Sequence, residues 1–213
     1  MTTRIALGYT LDEIANGVTG CTFACAEPTV DYIVLKFPRW PFDKFVYADK
    51  HIGTKMKATG EIMSIGVNFE SAMLKAVRSL EMGMDSLVVP ALEALTDEEL
   101  EEQLHEINTE RAFVVAEALR RGVSLEHVYD VTKIDIWFLR KVANIVEMEQ
   151  ALRLMGESAK LDRDTLMAAK KMGMCDKAIA RFVNTDELSI RAMRKEMNII
   201  PAFRKVDTCG MPE

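Results

Sequence analysis

The chain has 213 residues, 49% hydrophobic and 28% charged; it can close a core, and its 4 Cys, 6 Pro and 11 Gly are too few for disulfide-framed, collagen-like or low-complexity classes. Its net charge of -6, from 33 acidic against 27 basic residues, lacks the basic excess of a phosphate-neutralising protein, so nucleic acid is not expected as its main partner. No apolar run reaches the ~20 residues needed to cross a bilayer, and Met1-Thr2-Thr3-Arg4 leads into a mixed helix without a signal-peptide core, which points to a cytoplasmic location and no membrane partner.

Thr10-Leu11-Asp12-Glu13 has the spacing of a capping box and predicts a short helix closed by Gly17. Cys21 and Cys25 follow in a loop. With Cys175 and Cys209 they are too irregularly placed for a disulfide framework, and His51, His105 and His127 are scattered, so no metal site is expected. Val30 to Phe37 is β-branched and aromatic and predicts a strand, stopped by Pro38 and Pro41 because neither can donate to a ladder. Glu61 to Ile65, between Gly60 and Gly66, predicts a second strand. Asn68 then caps a helix with Phe69, Met73, Val77 and Leu80 on one face. So few strands cannot close a sheet. Residues 1–83 therefore read as a truncated α+β segment that either packs on the rest of the chain or was cut from a larger sheet domain.

From about Met84 onward strand signals vanish, and an all-α multi-helix domain is predicted over 84–204, with 205–213 a linker. The fold class is mostly α. Thr96-Asp97-Glu98-Glu99 is a second capping box, with Leu95 and Leu100 as its hydrophobic staple. Thr109 is expected to cap a helix carrying Phe113, Ala116 and Leu119 to Gly122, and Ser124 to cap the next. Thr132 is expected to open the longest helix, with Ile134, Trp137, Phe138, Val142, Ile145, Met148 and Leu152 on its apolar stripe up to Gly156. Trp137 and Phe138 would then anchor the core. Asp162 starts a helix ended by Gly173, and two short helices follow before Pro201.

Signals for chemistry are sparse. The acidic run Glu93, Asp97, Glu98, Glu99, Glu101, Glu102, Glu106, Glu110 lacks the calcium-loop spacing and suits a solvated helix start. There is no Gly-x-Ser-x-Gly elbow, no Walker A sequence and no Gly-x-Gly-x-x-Gly after a strand. Residues 176–199 have the outline of a helix-turn-helix, with Arg191, Arg194 and Lys195 on the second helix. A free-standing DNA-binding regulator is accordingly the alternative reading, although Asp186 and Glu187 stand where base edges would be met.

Four stretches together resemble the large chain of carbamoyl-phosphate synthetase. They are Ala6-Leu7-Gly8-Tyr9-Thr10-Leu11-Asp12-Glu13; Asp31 to Trp40 with Phe42 and Lys44-Phe45; Met56-Lys57-Ala58-Thr59-Gly60-Glu61-Ile62-Met63-Ser64-Ile65-Gly66, the most specific; and Thr132 to Leu139 with Lys205-Val206-Asp207-Thr208-Cys209. Cys21 to Cys25 and Leu87 to Pro90 depart from the pattern. The resemblance implies an internal piece of a much longer chain, in which 1–83 is the C-terminal remnant of the first ATP-grasp half, 84–204 is the helical oligomerisation domain, and 205–213 leads to the second half. It implies a whole enzyme that makes carbamoyl phosphate from bicarbonate, ATP and glutamine-derived ammonia, for arginine and pyrimidine biosynthesis. ATP and magnesium (or manganese) would serve that whole enzyme, with no cofactor and no catalytic residue in this piece. The implied partners are the rest of the large chain, a glutaminase small subunit and further copies of itself. Glu61 is the candidate for lining an interior route or an interdomain contact, with Lys57 and Arg39 beside it; the alternative is a strand-end carboxylate paired with Lys57 or Arg39.

Overall fold

The computed structural model describes residues 1–42, 44–45, 47–156 and 161–208, so Cys209 and the end of the linker motif lie outside the described residues. Packing divides the chain into two compact units, Met1–Tyr32 with Ala202–Glu213, and Ile33–Pro201. Among the described residues there are ten helices and a two-stranded sheet, the mostly α class with a small β part that the sequence predicts.

In the first unit α1 (Thr2–Ala6) is followed by turns. Half of the Thr10 box forms, with Glu13 Oε2 accepting from the Thr10 N–H at 2.9 Å and from the Thr10 hydroxyl at 3.0 Å; the Glu13 N–H goes to Thr10 O at 3.2 Å, and no helix runs to Gly17. A cap satisfies donors but does not repay the entropy of the first turn. The chain here turns back instead, in the Ala15–Phe23 bridge, with only Ile14 fully removed from solvent.

The second unit begins with β1 (Ile33–Arg39), antiparallel to β2 (Gly60–Gly66), with Leu35 opposite Ser64, Phe37 opposite Ile62 and Pro38 opposite Glu61. Pro38 therefore sits inside the strand rather than ending it. A two-stranded ribbon leaves an open edge on each strand, where a missing N–H is tolerated. Helix α2 (Phe69–Ser79), capped by Asn68 as expected, folds back on the ribbon: the Ser64 hydroxyl donates to Ala72 O at 2.7 Å and Lys75 Nζ to Ile65 O at 2.5 Å. The approach requires Gly66, because a Cβ there would lie 2.5 Å from Ser71 Oγ and 2.7 Å from the Ala72 backbone nitrogen.

The remaining elements are α3 (Pro90–Glu93), α4 (Asp97–His105), α5 (Arg111–Arg120), α6 (Leu125–Thr132), α7 (Ile136–Met155), α8 (Arg163–Lys171), α9 (Asp176–Phe182) and α10 (Glu187–Glu196). Pro90 occupies the first turn of α3, where its missing N–H is no loss. Helix α2 also reaches the far helices: Arg78 donates to Gly173 O at 2.9 Å, and one continuous core joins Phe37, Leu74 and Val77 to Val115, Ile145, Leu166 and Ile179. Packing thus makes no break at residue 84.

Three boundaries differ from those expected. Helix α5 starts after Glu110 with no side-chain cap, not at Thr109; the Asn108 side chain has already taken the Glu110 N–H, at 2.9 Å. Thr132 ends α6 instead of opening α7, its hydroxyl bonded back to Val128 O at 2.6 Å, and Lys133 turns left-handed. Asp135 is the true cap of α7, accepting from the Trp137 N–H at 2.8 Å. The expected stripe holds at Val142, Ile145 and Leu152, with Ile134 and Met148 packed against the core, and fails at its two aromatics. The buried residues are Leu139, Val142, Ala143, Ile145, Val146, Glu149 and Leu152, whereas Trp137 and Phe138 remain 50% and 45% exposed and do not anchor the core. At about 100° per residue, Trp137 falls roughly 80° from Ile145 on the side away from Val142 and Val146, whereas Phe138 stays in line with Ile145 but sits in the first turn of the helix, where it remains partly exposed.

Ile145→Ala is expected to lower stability by about 2–5 kcal/mol through the cavity it opens. Trp137→Ala should lose no more than about 1 kcal/mol, as usual for a half-exposed position, and urea denaturation of the two variants measures both.

Candidate functional site

The residues picked out around Glu61 lie at the closed end of the ribbon and the loop joining its strands. Glu61 Oε1 pairs with Lys36 Nζ at 2.7 Å, both side chains more than half exposed. The expected partner Lys57 is engaged elsewhere. Its ammonium donates to Asp49 Oδ2 at 2.8 Å, Asp49 O at 2.9 Å and His51 O at 2.5 Å, stapling the loop to itself and holding the Asp49 carboxyl below its ordinary range. Lys36 wins because it lies on the facing strand, two residues before Pro38, diagonally across from Glu61. Arg39 donates to Trp40 O at 2.6 Å and lines, with Phe37, Trp40, Leu80 and Phe113, a cleft of about 200 Å³. The structure therefore sets Arg39 and Glu61 near one end of the ribbon and turns Lys57 into the loop.

A second cluster, which the sequence reading missed, occupies the interface of α5 and α7. Glu149 is fully buried. Its Oε2 accepts from Arg120 Nη2 at 2.7 Å, and the same guanidinium bonds Glu117. Glu117 in turn accepts from Arg121 Nε at 2.9 Å. Arg121 reaches on to Asp97 Oδ1 at 2.9 Å and to the carbonyls of Leu92 and Leu95 at 2.9 and 2.8 Å, so one side chain closes the end of α3 and the start of α4. Burial pushes the Glu149 carboxyl above its ordinary range against the pull of Arg120 and Arg153, while Arg120, despite its own burial, is held charged by Glu149 and Glu117. The sequence signal was available: Glu149 falls in register with Ile145 and Leu152 on the buried stripe.

The acidic run is partly neutralised from other elements, Glu93 by Arg153 at 3.1 Å and Asp97 by Arg121 at 2.9 Å, and the His127 ring hydrogen-bonds Glu101 at 2.9 Å. Among the basic residues of α10, Arg194 turns inward, bonding Asp176 Oδ2 at 3.2 Å and Ile199 O at 2.9 Å with little exposure. Asp176 is shared with Lys170, at 2.8 Å. A helix-turn-helix reader would need that arginine outside. Cys21 and Cys25 are exposed thiols, and Cys175 caps α9. Among the described residues no three His, Cys, Asp or Glu side chains are grouped to hold a metal, and no helix is long and apolar enough to cross a membrane.

Residues 61–198, from the ribbon's second strand to the end of α10 and including the whole ion cluster, match the family described as carbamoyl-phosphate synthetase large chain, oligomerisation domain. The chain belongs to this family. A carbamoyl phosphate synthase large chain from Agathobacter rectalis is 49% identical over 210 residues, covering 99% of this chain and 19% of that protein. Another, from a Thermoanaerobacter species, is 47% identical over 207 residues, covering 97% and 19%. The chain thus spans about a fifth of the length of these curated relatives, and the family confirms the resemblance carried by the Glu61 and Trp137 motifs.

Arg120→Met should lower stability by about 3–5 kcal/mol, because it strands a buried carboxylate, whereas adding Glu149→Met should restore most of the loss. Denaturant titrations of the two singles and the double close that cycle. Asp176 gives a pH test. Burial, the largest single influence, raises its pKa, but Lys170 and Arg194 together hold it below its ordinary 3.8, so its contribution is present above that pH and lost as pH falls through the depressed value. Asp176→Asn should therefore lower the urea midpoint at neutral pH, and the gap from the parent should narrow as pH drops below 3.8.

Proposed function

We propose that this chain is the non-catalytic scaffold and oligomerisation portion of a carbamoyl-phosphate synthase large chain. The observation that carries the reading is the match of residues 61–198 to the oligomerisation domain, supported by a fold in which charged groups tie α5 to α4 and α7, and α10 to α9. In this proposal residues 1–83 are the remnant of the first ATP-grasp half, 84–204 hold the two synthetase halves in register, and 205–213 run toward the second half. ATP and magnesium (or manganese) belong to parts of the large chain outside this one, and Glu61 with Arg39 borders an interdomain contact or interior route while Lys57 fixes the loop beneath it. The whole enzyme, a cytoplasmic ligase, makes carbamoyl phosphate from bicarbonate, ATP and ammonia released from glutamine by a small subunit, for arginine and pyrimidine synthesis.

Light scattering at micromolar concentration tests the oligomerisation role. Self-association is expected, a dimer being the simplest closed assembly, and a monomer at every concentration would contradict it. Calorimetry with Mg-ATP should give no binding heat; a dissociation constant tighter than ~1 mM, more than about 4 kcal/mol of binding, would place a nucleotide site within this chain.

A further inference from the structure

Helices α8 and α10 both end beside a cavity of about 330 Å³, and the end of α10 shapes it. Asn198 takes a left-handed conformation at φ 55°, after which Ile199 enters the core while Ile200 and Pro201 line the cavity. With Met167 of α8 they make one wall apolar. Three cations, Lys170, Lys171 and Arg194, share the lining, and among the described residues no carboxylate does. Basic side chains at a helix end ordinarily answer its free carbonyls. Here those carbonyls are already taken. At the end of α8, Ala168, Lys170 and Ala169 O accept from the N–H groups of Met172, Gly173 and Met174 at 2.9, 3.0 and 3.1 Å; at the end of α10, Arg194 and Lys195 O accept from those of Ile199 and Asn198 at 2.8 and 3.0 Å.

The cations therefore keep donors free. Lys170 commits two of its three N–H groups, to Met174 O and Asp176, and Arg194 three of its five, to Asp176 and Ile199 O. Lys171 meets no carboxylate among the described residues. Asp176, behind the lining, offsets one of the three charges, and two remain. We propose that this cavity binds a small organic anion, a monocarboxylate with an apolar chain. Its head would meet Lys171 and the free donors of Lys170 and Arg194, and its chain would lie along Met167, Ile200 and Pro201. A bare inorganic anion would answer the cations and leave the apolar wall wet; a neutral chain would cover the wall and leave the cations unanswered. Only a ligand with both parts uses the whole lining. The volume stands at the small end of the roughly 300–1,000 Å³ of ligand sites, which suits a short chain. The inference stands apart from the family reading.

Calorimetric titration of the 213-residue chain with octanoate tests the site, with octanol and inorganic phosphate as comparison probes. Octanoate should bind at one site, about tenfold or more tighter than either comparison probe, because charge-assisted bonds and apolar cover act together. Lys171→Glu and Ile200→Ser should each weaken octanoate several-fold and leave the denaturation midpoint unchanged, since both positions are exposed. If the charge reversal lowers the midpoint, Lys171→Gln, which removes the charge alone, should still weaken binding. Octanol binding as tightly as octanoate would overturn the proposal, because the cations would then be idle. Phosphate binding as tightly would overturn it too, because the wall would be idle. Octanoate binding that neither substitution weakens would place the ligand elsewhere and refute the site, as would no binding at all. None of these outcomes touches the oligomerisation role, which light scattering reads separately.

Discussion

Glu149, a carboxylate with no exposed surface, obliges α5 to lie against α7 in one register, because only there can Arg120 meet it while still bonding Glu117. An uncompensated charge in an apolar interior is worth several kcal/mol of instability, more than a helix gains by sliding one turn along a greasy neighbour. Apolar packing would accept several registers of these helices. The ion cluster accepts one. Through Glu117 and Arg121 the same constraint reaches α3 and α4, and Arg153 carries it to the acidic end of α3. Because burial raises the folded-state pKa of Glu149, the group's own contribution falls as pH rises above its ordinary value; the residue fixes geometry more than it adds stability.

Much of this fold was legible in the sequence. Local chemistry marked the starts at Asn68, Thr96, Ser124 and Asp162, since a cap is decided by atoms within three residues of itself. Where two candidate caps lay close together the nearer hydroxyl misled. Thr132 bonds backward into α6, and Asp135 takes over. The stripe through Val142, Ile145 and Leu152 is legible in the sequence; extending it to Trp137 and Phe138 takes size and hydrophobicity for burial, whereas the buried face contains a glutamate that a binary pattern counts as polar. The Thr10 box failed for a different reason: only its glutamate half forms, and the backbone of Ile14 and Asn16 pairs with Ala24 and Thr22 instead of continuing a helix.

The candidate site was less legible than the fold. Glu61 was located on its strand, but its partner is set by cross-strand geometry, and Lys36 holds the diagonal position that Lys57, drawn into the loop by Asp49 and His51, gives up. Residue types in α10 suggested a nucleic-acid reader; the tertiary pairing of Arg194 with Asp176 turns the same residues into a helix tie. Family membership came from the order of several motifs, which no single spacing could supply. What connects these observations to the proposed role is rigidity: a segment that holds larger parts in register must have its own elements fixed, and here polar side chains spend their bonding capacity on neighbouring helices.

The central claim is that this helical scaffold is organised about the ion cluster between α5 and α7. Native-state hydrogen exchange on the 213-residue chain tests it most directly. Amides of α5 and α7 should be the slowest, exchanging only with global unfolding, within the roughly 5–15 kcal/mol of an ordinary domain. If α7 amides exchange as fast as those of the loop between β1 and β2, the scaffold does not form without the rest of the large chain, and the account is wrong.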